Sequence, residues 1–162
     1  MARSRTASDN HLYPEGIPGS MLYDVSDEAG DLSPTELRAL YETELRETIS
    51  AVGIETVATK SDVDVEIIEE LAGGDSPALT LEDAASILAC DDDLPDKRTI
   101  LVEVRDHLLM GMTMAILDVE AIESGLNNHL DARDIQQKIE GRAPMTLTEF
   151  ASLHQFIESR KR

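Results

Sequence analysis

The chain of 162 residues has one cysteine, no tryptophan and only five aromatic residues of the Tyr and Phe type. A single thiol, Cys90, excludes an intrachain disulfide and a Cys-rich zinc site. It reads instead as a small buried apolar residue at a helix end. Long apolar runs are also missing: residues 108–117 make the longest, about ten residues where a membrane-spanning helix needs roughly 20. The N-terminal stretch MARSRTASDNHLYPEG lacks the apolar centre of a signal peptide. These absences predict a soluble, cytoplasmic protein with no membrane association. No Gly-rich phosphate loop, nucleophile elbow or Cys/His arrangement occurs. Asp91, Asp92 and Asp93 lack the glycine and glutamate spacing of a calcium loop, and no two histidines stand at helical spacing. No enzymatic activity, cofactor, metal site or small-molecule substrate is expected.

What the chain has in excess is acid. The net charge is −19, with few lysines among its basic residues, the composition of a halophile's cytosolic protein whose acidic surface stays hydrated in concentrated salt. The charge is unevenly placed: residues 21–130 hold 6 basic and 26 acidic side chains, whereas residues 131–162 hold 6 and 5. A uniform adaptation to salt does not spare the last 32 residues. That end is expected either to face something negative or to be covered by another part of the protein.

The apolar periodicity is helical throughout, and no segment alternates as a strand does, so the class is all-α. Residues 1–20, with Pro14, Gly16, Pro18 and Gly19, read as a disordered arm, and Met21 is a possible alternative start. Ser33, Pro34 and Glu36 form the start signal of a helix. Its apolar face is Leu37, Leu40, Tyr41, Leu45 and Ile49, and it ends near Gly53. A short helix over residues 54–61 follows. The acidic stretch 91–96 separates an N-terminal unit (21–90) from a C-terminal one (97–162), which opens with a long helix from about Lys97 to Met114. Met110, Met112 and Met114 lie about 200° apart in succession, so this helix is apolar all round and is expected to be buried, with a dimer interface as the alternative. Asp106 and His107, adjacent on it, point about 100° apart and cannot act as a proton-transfer pair.

The most informative pattern is a repeat. Residues 64–88 and 131–154 align without a gap through Pro77 and Pro144 and then with only Ala78 unpaired, sharing Asp, Ile, Gly, Pro, Thr, Leu, Ala and Ser at matching positions. In the first copy Ala58, Val63, Asp64, Ile68, Leu71 and Gly74 have the spacing of a helix-turn-helix. Ala58 permits a close crossing, Val63 plugs the turn, Asp64 caps the second helix, Ile68 and Leu71 face inward, and Gly74 ends it. Thr80 with Asp83 opens a covering helix. At an offset of 67 the second copy places Gly125, Leu130, Asp131, Ile135 and Gly141 in the same roles, with Ile139 one turn on and Thr146 opening the covering helix.

These residues resemble tandem helix-turn-helix units of the Cro/C1-repressor type. Asp62 and His129 depart from the glycine common in the turn, and Ser61 and Asn128 from the usual apolar residue. The whole chain also resembles an uncharacterised family of small acidic haloarchaeal proteins, from which no function carries over.

The copies differ in outward charge. Glu66 becomes Arg133, Glu69 becomes Gln136, Glu70 becomes Gln137 and Asp75 becomes Arg142. Arginine and glutamine can contact phosphates and read base edges, whereas the first copy is repelled by phosphate. The expectation is a DNA-binding accessory or transcriptional regulator using Arg133, Gln136, Gln137, Lys138 and Arg142, with Arg160, Lys161 and Arg162 adding backbone contacts. The rival expectation is a protein-binding adaptor or homodimer, since Arg, Gln and Lys are also ordinary on a solvated helix face, and Asp134 and Glu140 lie close by.

Overall fold

The computed structural model describes residues 22–24, 28–126 and 130–161; the arm at residues 1–20, Asn128, His129 and Arg162 lie outside this set. Among the described residues there are eight α-helices and no strands: α1 (Pro34–Val52), α2 (Ile54–Ser61), α3 (Val65–Ala72), α4 (Leu81–Leu88), α5 (Lys97–Ala115), α6 (Val119–Leu126), α7 (Ala132–Ile139) and α8 (Leu147–Arg160). The all-α expectation holds. Single 3-10 turns at Leu22–Asp24 and Ala29–Asp31 precede α1. Among the described residues no helix is long and apolar enough to cross a membrane.

Local chemistry sets the boundaries. Ser33 and Glu36 form a reciprocal capping box at α1, with Pro34 at the first helical position. Asp64, Thr80, Asp96, Asp131 and Thr146 cap α3, α4, α5, α7 and α8 through their side-chain oxygens, each cap contributing about 1 kcal/mol. Thr146 and Glu149 complete a second reciprocal box. The equivalent glycines Gly74 and Gly141 take left-handed φ of 100° and 82° after α3 and α7, a conformation that disfavours residues with a Cβ.

The duplication extends beyond the repeated phrase to all four helices of each unit. Five buried residues of α1, Leu37, Tyr41, Leu45, Thr48 and Ile49, correspond at one offset to Ile100, Val104, Leu108, Gly111 and Met112, five of the buried residues of α5. The units meet reciprocally: α1 packs on α8 as α5 packs on α4. At the centre, Leu81 N donates to Met145 O (2.7 Å) and Leu147 N to Leu79 O (2.8 Å), pairing Thr80 with Thr146 as an isolated bridge. Each bond is the other with the copies exchanged, the pattern of an approximate two-fold axis. One hydrophobic core runs through both units, from Leu22 to Ile157.

Two expectations fail. Helix α5 is not buried on all sides: Met112 is buried, but Val102, Leu109, Met110 (62% exposed) and Met114 (57% exposed) face outward. They lie outside the Ile100, Val104, Leu108 and Met112 face, which is the one that the neighbours of α5 cover. The register of 67 also does not reach back across the turn. Ile122, not Ser124, takes the buried place of Val57, and α6 begins 65 residues after α2. Five residues separate α6 from α7 where three separate α2 from α3, so the earlier helix is set back by two.

Candidate nucleic-acid interface

In the first unit the residues joining α2 to α3 are held by local backbone conformation and hydrogen bonding. Asp62 adopts a left-handed conformation (φ 63°), which explains why glycine suits this place. Buried Ser61 turns its hydroxyl to accept from Val63 N (3.2 Å), so a polar residue at an apolar position is satisfied locally. Ile68 and Leu71 are fully buried, leaving Glu66, Glu69, Glu70 and Asp75 exposed.

Helix α7 repeats this arrangement with different outward residues. Ile135 and Ile139 are buried, one turn apart, and fix the rotation of the helix. Arg133 and Gln136 are therefore exposed and Gln137 half-buried. Arg133 makes no ion pair among the described residues, whereas Glu140 engages two of the others. It accepts from Gln136 Nε2 (3.0 Å) and pairs with Arg142 (2.9 Å), whose side chain is 70% exposed. Lys138 is committed inward, its ammonium donating to Pro144 O (3.0 Å) and Glu149 (2.9 Å) and so tying the end of α7 to the start of α8. At the C-terminus Arg160 lies over the Phe156 ring (4.5 Å) and Lys161 donates to Glu158 (3.0 and 3.2 Å). The outward face of α7 thus presents Arg133 and Gln136, with Gln137 at its margin and Arg142 just past its C-terminal end, beside Glu140.

Gly125 does permit a close approach, though to α8 and not to a crossing within the helix pair: a Cβ there would lie 2.3 Å from the Phe156 ring. Cys90 is a buried free thiol, as expected, and burial pushes its pKa up. Asp106 is exposed while His107 turns to Glu158 (3.1 Å), so the two do not pair.

A second polar cluster escaped the sequence reading. His154, on α8 and 1% exposed, meets the Tyr41 hydroxyl through Nδ1 at 2.6 Å. Burial, with the neighbouring His107, lowers its pKa to about 4. Burial and the nearby Glu44 and Glu158 push Tyr41 well above the ordinary tyrosine range. Glu158 is desolvated, yet its bonds from Lys161 and His107 hold its carboxyl below the usual range. The legible signal was His154 and Glu158 at one helical turn; His107 comes to them only through the packing of α5 on α8.

These features define a class: an all-α protein made of a duplicated four-helix unit, with diverged charge on the equivalent faces of α3 and α7. The chain belongs to DUF5791, a family of unknown function whose model matches residues 37–160, from α1 to the end of α8. No curated protein and no solved structure matches it.

Proposed function

We propose that this protein is a non-catalytic binding module that docks double-stranded DNA through α7, as an accessory factor or transcriptional regulator. The observation that carries the reading is the rotation of α7. Ile135 and Ile139 are turned into the core, so Arg133 and Gln136 project from the helix that follows the turn, the place of a recognition helix, with Arg142 exposed just beyond its end. The same face of α3 is wholly acidic and is excluded by phosphate repulsion. The acidic remainder of the surface suits a halophilic cytoplasm, where counterion release contributes little and base contacts must carry affinity.

The number of available cations bounds the strength. With Lys138 tied to Glu149 and Arg142 paired with Glu140, Arg133 alone is ready for a phosphate and Arg142 becomes so on leaving Glu140, giving a slope of log K against log salt of about −1 to −2. The test compares occupancy of genomic DNA in high salt between the wild type and Arg133→Glu plus Arg142→Glu. The double variant is expected to bind at least tenfold less; equal occupancy overturns the reading.

A second reading, a protein-binding adaptor or homodimer, is favoured by the outward apolar residues of α5. Val102, Leu109, Met110 and Met114 lie exposed around the part of it that the core leaves uncovered, and Ile116 at its end is 90% exposed. On that reading Met110→Lys plus Met114→Lys abolishes self-association or partner capture in sedimentation and leaves DNA occupancy unchanged.

A further inference from the structure

The geometry points to a binding site for a divalent transition-metal ion of the zinc class, formed by His107 of α5 with His154 and Glu158 of α8. One ligand atom from each of the three lies within 4.8 Å of the others. His107 Nε2 and Glu158 Oε2 are already 3.1 Å apart. Two ligands each about 2.0–2.1 Å from one zinc ion, at an angle near 100°, are separated by about that distance. An ion can therefore sit between this pair in place of their hydrogen bond, with His154 supplying the third ligand atom within 4.8 Å and the α5 side chain and Glu158 closing on it. Two imidazoles and one carboxylate, with a fourth position open, are a donor set that zinc accepts.

Independent support comes from His154. Its Nδ1 is held by the Tyr41 hydroxyl, but its buried Nε2 makes no well-formed hydrogen bond, the Tyr23 backbone carbonyl acting on the ring only as a weak acceptor. A buried nitrogen left unmatched is costly, and an ion would supply the missing partner. An imidazole whose other ring nitrogen is fixed by a neighbour is also how proteins orient metal-binding histidines. Here that neighbour is Tyr41, from the other unit.

The duplication provides an internal comparison. The place of His154 is taken in the first unit by Leu88 and that of Tyr41 in the second by Val104, both buried. Packing at these places is met by apolar side chains, so the Tyr41–His154 pair and its free nitrogen answer a need that packing does not explain. Tyr23 lies beside the cluster, its ring tilted by 32° to that of His107 with centroids 4.8 Å apart. Lys161, which donates to both Glu158 oxygens, opposes the ion and sets how tightly it is held.

The test uses the full chain, stripped with chelator and titrated with Zn2+ by calorimetry and thermal melting. One Zn2+ per chain is expected, with a rise in melting temperature of about 5 °C at saturation, and Co2+ should give the visible absorption of a low-coordinate nitrogen and oxygen site. His107→Ala and Glu158→Gln, at partly exposed positions that the fold tolerates, should each bind at least tenfold more weakly. Tyr41→Phe should weaken binding about tenfold, and Lys161→Ala should tighten it. Replacing Asp91, Asp92 and Asp93 by Asn should change nothing. Absence of stoichiometric uptake, or unchanged affinity in His107→Ala and Glu158→Gln, would overturn the site and assign any bound ion to the acidic surface at large.

Discussion

At the scale of single residues, two positions make opposite demands on stability. His154 is neutral in the folded protein down to about pH 4, whereas in the unfolded chain it gains a proton near its ordinary value of 6.5. The unfolded state therefore binds more protons between these values. The contribution of His154 is fully present above pH 6.5 and falls as the pH drops toward 4, by up to about 3 kcal/mol in the metal-free protein. Urea unfolding at pH 7.5 and 4.5 measures this. Tyr41→Phe with His154→Leu, which installs the apolar chemistry of the other unit, should flatten the dependence; an unchanged slope would place its origin elsewhere. Ile116 is the opposite case. It holds φ 56° at the end of α5 while 90% exposed, a conformation that costs a β-branched residue about 1–2 kcal/mol. Ile116→Gly is expected to stabilise by about 0.5–1 kcal/mol in the same denaturation measurement, the flexibility of glycine in the unfolded chain cancelling part of the gain.

At the scale of helices, the sequence is legible wherever the cause is local. Ser33 with Pro34, Thr80, Asp131 and Thr146 mark helix starts because the capping group and the amide it caps are three residues apart, and α1, α2 and α5 begin and end close to where their punctuation sets them. Legibility fails where the cause is a neighbour distant in sequence. Apolar residues around α5 do not reveal that its neighbours cover only one side, and His107 carries no sign that α5 brings it to Glu158. The set-back of α6 is hidden for the same reason, since its register follows from contacts with α8. Gly125→Ala tests that contact: the added methyl meets the Phe156 ring and should destabilise by about 1–3 kcal/mol, whereas a neutral effect would show that α6 can shift away. Ile139→Ala should cost about 2–5 kcal/mol, measured by thermal unfolding, because this side chain anchors the rotation of α7.

At the scale of the whole molecule, one framework has been used twice with different surfaces. The reciprocal bonds between residues 79–81 and 145–147 join the copies, and the core runs through both. The positions the two phrases share include the buried Ile68 and Ile135, Leu81 and Leu147, and Ala85 and Ala151, whereas Glu66, Glu69, Glu70 and Asp75 differ from Arg133, Gln136, Gln137 and Arg142 at exposed or half-buried places. The charge contrast was readable from sequence alone. That Glu140 engages Gln136 and Arg142, and that Lys138 is held by Glu149, was not, because these pairings depend on side-chain geometry at the end of α7. The most direct measurement transfers the surface between the copies. In a chain whose own α7 face is disabled by Arg133→Glu and Arg142→Glu, the substitutions Glu66→Arg, Glu69→Gln, Glu70→Gln and Asp75→Arg are introduced, and duplex DNA binding is followed by fluorescence anisotropy with helix content checked by circular dichroism. Restored binding, within about tenfold of the wild type on the 1.4 kcal/mol-per-decade scale, is the predicted result. A folded graft that binds DNA no better than the disabled parent would contradict the account.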